Sequence, residues 1–509
     1  MKIVLFEHPR CDSDAHYQDV ANAPLHSCLM SGYVASVLQQ DGYDVTLYNA
    51  YLAGDDFDTA LQRLCRIPCD LLGVHAVYFW EHTPKLFDML AAFKAARPDS
   101  TVVLYGIFPT SWWKYLHGQH TYIDGIVLGE PELTFRDIVR FRSTGKRFAD
   151  ADIPGVAIRR NGRPVITGLR PVIDQLDALP FPMRQSTLLR AIGGSVLGSR
   201  GCTMSCSFCC INPFYGIRRW RGRRPAAIAE EIRTLLPLLE TRYIYFLDAD
   251  VFGPRSQRTV RAIQLAEVLG ELHLKFGLEA RPTDIDRHIV ASLVDAGLQD
   301  VFLGIESGSA ASLRRMRKPG VPTSSLTAIR LLREYGVRVT PGFIMFEPDG
   351  VLEDVCENLM FLEKAQLLEN LEVTAHVLYH REIFLGCMPN FSRYETDGRF
   401  YARDTLGYEG WPRYVDPRVA FLADVMSQVC RHVLRMMDSP NSLLWRHGSN
   451  RAVAARVNRY LVEFFKECYD RLRRNEIPLT IQSQALWQEA ARNDISRLCY
   501  EENSTAHTC

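Results

Sequence analysis

The sequence predicts an α/β chain: an open parallel sheet covered by helices, then a curved, partial (β/α)6 barrel, then a mainly helical region. Three observations carry this. Five short apolar runs alternate with amphipathic segments over the first 135 residues, six more alternate with helices from residue 195, and beyond residue 396 two long segments place their apolar residues on one helical face. At 509 residues the chain exceeds one ordinary core. The expected division is a first domain over 1–145, a connector over 146–190, the barrel over 191–395 and the helical region over 396–509.

In the first domain, "KIVLFEHP" is an apolar strand ending in a loop, and "PLHSCLMSGYVASVLQQDGY" has helical spacing that stops at Gly42. The strands "DVTLYNAY" and "DLLGVHAVYF" enclose the helix "FDTALQRLCRI". "TPKLFDMLAAFKAARPDS" is a further helix, opened by Thr83-Pro84 and stopped near Pro98. "TVVLYGIFPT" and "IDGIVLGE" complete five strands. Strands separated by helices pair in parallel, so a ligand would sit at their carboxyl ends, in the loops after Phe6, Val77, Tyr105 and Leu128. In the connector, Asn161-Gly162 within "GVAIRRNGRPVIT" marks a β-hairpin, and "LDALPFPMRQS" is a Pro-rich link.

The barrel strands are "SVLGS", "YIYFLDAD", "LKFGLEAR", "DVFLGIES", "VRVTPGFIMF" and "LEVTAHVLY", separated by helices such as "RRPAAIAEEIRTLLPLL" and "SSLTAIRLLREYG". Such a barrel keeps its chemistry at the carboxyl ends of its strands. In the last region, "DPRVAFLADVMSQVCRHVLRMM" opens with Asp416 as N-cap and Pro417 behind it, and "RAVAARVNRYLVEFFKECYDRLRR" is a second helix. The aromatic block "FSRYETDGRFYARDTLGYEGWPRY" is suited to cover the barrel mouth or to pack as a tail, and "YEENSTAHTC" reads as a frayed end.

Hydrophobic residues make up 47% and charged residues 23%, which is a globular balance. The formal net charge of zero argues against nucleic-acid binding driven by bulk charge, a local basic patch aside, and no nucleic-acid partner is expected. No run approaches a membrane span and "MKIVLFEHPRCD" lacks a signal-peptide core, so no membrane partner is expected. Fourteen cysteines in a chain of this size suit a reducing compartment, the cytoplasm, with most of them packed as apolar residues.

Four cysteines cluster in "GSRGCTMSCSFCCINPFYG", the loop after the first barrel strand. Cys202, Cys206 and Cys209, spaced CxxxCxxC, can reach one inorganic centre. Three thiolates suit three irons of a four-iron cluster and leave the fourth open to a small chelating ligand, such as an amino acid's amine and carboxylate. Structural zinc takes four closed ligands, generally as two separated pairs, and no second CxxC pair lies nearby. Cys210, adjoining Cys209, reads as a packing residue or a shield over the centre.

The motif "GSRGCTMSCSFC" resembles that of the radical S-adenosylmethionine (SAM) enzymes. The resemblance continues in "RRWRGRRPAAIAEEI", "YIYFLDADVFGP", "LVDAGLQDVFLGIESGS" and "GFIMFEPDGVLEDVCENLMFL". It implies a 4Fe-4S cluster that reduces SAM to methionine and a 5′-deoxyadenosyl radical, fed by an electron donor such as flavodoxin or ferredoxin. Carried over by position, Cys202, Cys206 and Cys209 would ligate the cluster and Phe208 would lie against adenine. Glu306 and Ser307 would hold SAM's polar groups, Ile344 would pack on adenine, and Asp248 and Asp250 would contact SAM's amine or the substrate. Asp250 has a plain alternative as a helix cap. The family's fifth strand often has glycine where Phe346 stands, which leaves the adenine contacts open.

The first domain is similar to the Rossmann-like cobalamin-binding module that precedes this barrel in many family members, matching at "DLLGVHAVYFW", "VVLYGIFPT", "DGIVLGEPELTF" and the linker "LDALPFPMRQS". The whole resemblance covers about residues 1–395. It implies a cobalamin site at Tyr78, Phe79, Trp80, Gly106, Phe108, Gly129 and Glu130. The Asp-x-His-x-x-Gly motif of classical cobalamin proteins is absent; the first loop reads "FEHPRCDSD". Cobalt would then face Tyr78, Phe79 or Trp80 without ligation, with His8 and His75 as alternatives. Gly106 and Gly129 would let backbone approach the corrin or its tail.

Three readings follow. One is a cobalamin-dependent methyltransferase, resembling the class B radical SAM methyltransferases, acting on an unactivated carbon or a phosphinate of a small natural-product intermediate or a peptide. Another is a radical SAM cyclase, rearrangement or sulfur-insertion enzyme with a vestigial first domain. A non-catalytic sensor is the third, disfavoured by the retained SAM-binding strands.

Overall fold

The computed structural model describes residues 1–10, 29–185, 194–448 and 450–500. The first sheet holds β1 (Lys2–Glu7), β2 (Asp44–Asn49), β3 (Leu71–His75), β4 (Thr101–Tyr105), β5 (Gly125–Val127), β6 (Val156–Arg160) and β7 (Arg163–Ile166). Its order is β2-β1-β3-β4-β5-β6-β7. The strands from β1 to β5 pair in parallel, and β6 and β7 are added antiparallel. β3 and β4 are buried along their whole length because helices cover both faces. The order reverses between β1 and β3, so the ligand crevice opens beside Glu7 and His75.

Local signals account for most boundaries. Asn49 ends β2 and caps the next short helix, its side chain accepting from Leu52 N at 3.1 Å. The strand expected through Thr110 stops at Tyr105, and Ile107–Gln119 is a helix. Gly106, at φ 117, makes that break. The hairpin turns at Asn161 and Gly162, both at positive φ as its turn type requires, and it joins the first sheet. Of the helix expected over 24–43, residues 24–28 lie outside the described residues; Leu29–Gln40 is helical.

The second sheet contains β8 (Gly194–Val196). A short ribbon of β9 (Ser199–Arg200) and β10 (Arg221–Gly222) follows, bracketing the cysteine loop, and then come β11 (Tyr243–Phe246), β12 (Lys275–Ala280), β13 (Leu298–Glu306) and β14 (Arg338–Phe343). The five strands of this sheet lie in the order β14-β13-β12-β11-β8, all parallel. Phe276, Leu278, Val301, Leu303 and Ile305 pack outward into the core, so the alternate residues, Glu279 and Gly304 among them, face the concave side.

The sixth expected strand, "LEVTAHVLY", is corrected: Leu371–Val377 is a helix. Asn370 caps it by accepting from Val373 N at 3.1 Å. Leu371, Ala375 and Val377 are buried in the core shared with the C-terminal helices, and that packing outweighs the β-propensity of the valines. One parallel bridge, Phe346 to Arg381, stands where a sixth strand would pair.

Helices Pro417–Asp438, Arg451–Arg473 and Ile481–Tyr500 close the chain. Asp416 caps the first as expected, accepting from Arg418 N at 3.0 Å. The third was not read in the sequence; it buries Ala491, Ile495 and Cys499. The tail 501–509 lies outside the described residues. Among the described residues no helix is long and apolar enough to cross a membrane. The aromatic block forms the hairpin β15 (Phe400–Arg403) and β16 (Gly410–Pro412), whose loop reaches the first domain through Trp112 Nε1 to Leu406 O at 3.0 Å.

Buried ion pairs join the end of the first sheet to the β9–β10 ribbon. Arg200 on β9 meets Glu130 at 2.8 Å and Glu132 at 2.5 Å, and Arg221 on β10 meets Glu130 at 2.9 Å. They hold the end of β5 against the base of the cysteine loop.

Candidate active site

Gly201 turns the chain out of β9 at φ 81, with Arg219 O 2.1 Å from where a Cβ would stand, so only glycine fits before Cys202. The loop then presents Cys202, Cys206 and Cys209. Ser207 is pinned on both sides: its N–H donates to Met316 O at 2.9 Å and its carbonyl accepts from Asn390 N at 3.0 Å. Burial raises all three thiols, Cys209 to about 12 with Cys210 adding to the rise. Against this, Arg281 and Lys318 favour the thiolates of Cys202 and Cys206. The three thiols act on one another, yet among the described residues no three His, Cys, Asp or Glu side chains converge on a single ion. A sulfur-only donor set on one loop, flanked by cations, fits the corners of an iron–sulfur cluster. Cys210 lines the cavity described below and packs beside Cys387 in the aromatic cluster of the first domain.

Asp248 and Asp250 follow β11. Asp248 is fully buried, its carboxylate accepting from Gly198 N at 2.8 Å and from the Ser199 hydroxyl, so it braces the base of the cysteine loop. Asp250 accepts from Gly253 N at 3.0 Å, pairs with Arg281 at 3.1 Å and lies 3.9 Å from Cys202 Sγ. It does not cap the following helix, whose N-cap is Gln257. Burial raises both carboxyls to about 6.

Glu306 ends β13 in the left-handed region at φ 65, with its carboxylate 2.7 Å from Lys318 Nζ. Its carbonyl accepts from Ile344 N at 2.7 Å, which ties two of the expected SAM residues together. Ser307 is buried and donates to Asn358 Oδ1 at 2.7 Å. Phe346 is wholly buried, stacked on Phe465 of the C-terminal helices at 6.2 Å, so the bulk that departs from the family pattern points into the core.

A cavity of about 1050 Å³ opens between the domains. Tyr78, Trp80 and Glu81 line it from the first domain, Phe208, Cys209 and Cys210 from the cysteine loop, Phe343 and Ile344 from the end of β14, and Tyr401, Trp411 and Tyr414 from the aromatic block, which does cover the barrel mouth. Four expected residues, Tyr78, Trp80, Phe208 and Ile344, thus share one space. Asp248, Asp250, Glu306 and Ser307 are not in its wall; they belong to the barrel interior.

The expected cobalamin residues divide. Tyr78 donates to Glu409 Oε2 at 3.1 Å, and Trp80 is held at φ 45, a strained conformation for a large side chain. Phe79 and Phe108 are core residues, Phe108 packing against Tyr78 at 5.7 Å and Tyr408 at 4.6 Å. At Gly106 the space of a Cβ is taken by the His75 ring, 2.9 Å away, so its freedom serves packing inside the domain. Gly129 lies 3.4 Å, by the same measure, from Phe214 O of the helix after the cysteines. The Glu130 carboxylate is engaged by Arg200, Arg221 and Ile173 N. His8 accepts from Val77 N at 3.2 Å, and burial lowers its pKa to about 3. His75 bonds Glu7 at 3.0 Å. Neither imidazole lines the cavity.

Three interior groups were missed in the sequence: Arg281, Lys318 and Glu279. Arg281 and Glu279 end the strand "LKFGLEAR", so the strand-end rule applied to the other strands would have found them. Lys318 follows the short helix Ala310–Arg315, and only the fold brings it to Glu306.

The family model described as the Radical SAM superfamily matches residues 196–362. An uncharacterized methyltransferase of Pyrococcus horikoshii is 26% identical over 344 residues, covering 66% of this chain and 72% of its own. An anaerobic magnesium-protoporphyrin IX monomethyl ester cyclase of Rubrivivax gelatinosus is 26% identical over 350 residues, covering 64% of this chain and 59% of its own. The structure of the cobalamin-dependent S-adenosylmethionine radical enzyme OxsB, with aqua-cobalamin and S-adenosylmethionine bound, superposes with a TM-score of 0.76 at 16% identity, over 99% of this chain and 80% of that one. At that identity the likeness is one of fold.

Proposed function

Because this chain is a radical SAM enzyme, with the 4Fe-4S cluster and SAM that the family uses, we propose that it is a cobalamin-dependent methyltransferase. Its target would be an unactivated carbon, or a phosphinate, of a small natural-product intermediate or a peptide. One observation carries the reading: the first domain and the cysteine loop line a single cavity, Tyr78 and Trp80 on one side and Phe208, Cys209 and Ile344 on the other.

The chain's residues fit the groups. Cys202, Cys206 and Cys209 would hold the cluster, with Arg281 and Lys318 offsetting thiolate charge. Phe208, Glu306 and Ile344 would bind SAM. Tyr78 and Trp80 would face a corrin without ligating it, since the Tyr78 hydroxyl is committed to Glu409 and both histidines are engaged elsewhere. When bound, the cluster and SAM supply a radical that removes a hydrogen atom, and cobalamin supplies the methyl group that replaces it. The chain orients these groups and excludes water: the β15–β16 hairpin closes the barrel mouth, and the buried Arg200 pairs fix the first domain over the cysteine loop. A donor such as flavodoxin or ferredoxin would supply the electron.

Anaerobically reconstituted protein should form S-adenosylhomocysteine and 5′-deoxyadenosine together, in about equal amounts with methylated product. In the cob(II)alamin state its paramagnetic resonance spectrum should show no nitrogen splitting from the protein. Conversion with 5′-deoxyadenosine but no S-adenosylhomocysteine and no cobalamin requirement would overturn the reading. The second reading, a radical SAM cyclase with an empty first domain, would then take its place; the similarity to the cyclase of Rubrivivax gelatinosus favours it.

A further inference from the structure

The concave face of the second sheet carries one acidic side chain that no other group answers. Glu279 stands on β12 between the outward-packed Leu278 and Ala280, and pairs across the sheet with Phe302. Two neighbouring carboxylates act on it, Asp248 and Glu306. Each of these has partners: Asp248 the Gly198 N–H and the Ser199 hydroxyl, Glu306 the Lys318 ammonium at 2.7 Å. Asp250 has Arg281. Glu279 is half-buried and has no hydrogen bond and no ion pair among the described residues. Burial first, then the two carboxylates, push its carboxyl up to about 7.

A carboxylate without a counter-charge in a concavity is suited to a positively charged ligand. The next strand-end residue but one, Arg281, touches Cys202, so this concavity adjoins the cysteine loop. SAM carries an ammonium, a carboxylate and a sulfonium, a net positive charge. Its ammonium nitrogen and carboxylate belong to the chelating end, which suits an open iron, and the sulfonium is the charge left over. We infer that Glu279 is a SAM-positioning residue whose carboxylate is the counter-charge to the sulfonium. This rests on SAM binding in the barrel and is independent of whether the first domain holds a corrin.

S-adenosylhomocysteine lacks the methyl group and with it the sulfonium charge, so the two ligands isolate the interaction. Their affinities for the cluster-loaded full chain are measured by calorimetry, with iron content checked in each variant. Glu279→Gln keeps the shape and removes the charge. It should weaken SAM on the order of tenfold, as loss of a partly buried charge pair does, and change S-adenosylhomocysteine by less than about twofold. Equal losses for both ligands, or none for SAM, overturn the inference. Should Glu279→Gln lose its iron, Glu279→Asp decides: its shortened reach should weaken SAM and spare S-adenosylhomocysteine, and equal effects overturn the inference. Failure here leaves methyl transfer standing, and a chain without cobalamin leaves this inference standing.

Discussion

The guanidinium of Arg281 stands 3.6 Å from the sulfur of Cys202. It is held there by Asp250 at 3.1 Å and Asp284 at 2.6 Å, so a fixed cation sits beside the first of the three thiols. Groups that orient or neutralise ligands tune a metal centre nearly as strongly as the ligands themselves. Arg281→Met, compared with the parent at equal folded fraction, should make the cluster lose iron to a chelator about tenfold faster, followed by its visible absorption.

Changing any one of Cys202, Cys206 or Cys209 to Ala should abolish the oxygen-labile four-iron cluster, and Cys202→Ala should form no 5′-deoxyadenosine. Cys210→Ala should retain the cluster, because Cys210 packs with Cys387 against the core of the first domain. Iron and sulfide analysis after anaerobic reconstitution checks this. Tight zinc binding with no dependence on iron would contradict the assignment.

Arg200 is buried with Glu130 and Glu132. Arg200→Met would strand the buried carboxylate of Glu132, while Glu130 keeps Arg221, and denaturant unfolding should show a loss of roughly 3–5 kcal/mol. The exposed pair of Arg219 and Asp174 gives the contrast. There Arg219→Ala should cost less than about 1 kcal/mol.

Glu382 lines the cavity and accepts from Asn390 Nδ2 at 2.5 Å. Burial, with Glu347 adding to it, raises its carboxyl from 4.5 to about 8. Between those values the folded chain keeps a proton that the unfolded chain has released. Its contribution is therefore fully present below pH 4.5 and is lost as pH rises toward 8. The slope is about 1.4 kcal/mol per pH unit. Glu382→Gln should flatten the stability profile by that amount across this window, measured as the difference between the two proteins' denaturation curves.

Short-range pattern was legible and long-range partnership was not. The apolar runs of β1, β3, β4 and β11–β14, the Asn161-Gly162 turn and the Asp416 cap each depend on a few adjacent residues. The spacing of Cys202, Cys206 and Cys209 is equally local, and so was the inorganic centre it implies. "LEVTAHVLY" misled because its valines fit a strand as well as a helix, and packing against helices some 50–100 residues further on made the choice.

The sequence by itself determined two α/β sheets and a three-cysteine loop at a strand end, because spacing and periodicity are written within one or two turns of chain. Only the tertiary structure decided which polar groups are already partnered. Glu130 looked like a cofactor residue and is tied to Arg200 and Arg221, 70 and 91 residues away. Tyr78 is committed to Glu409 across 331 residues. Glu279, unremarked in the sequence, is left without a partner in the barrel. A buried charge is structural when the fold brings it a counter-charge and available to a ligand when the fold does not, and that depends on distances in space that no local pattern records.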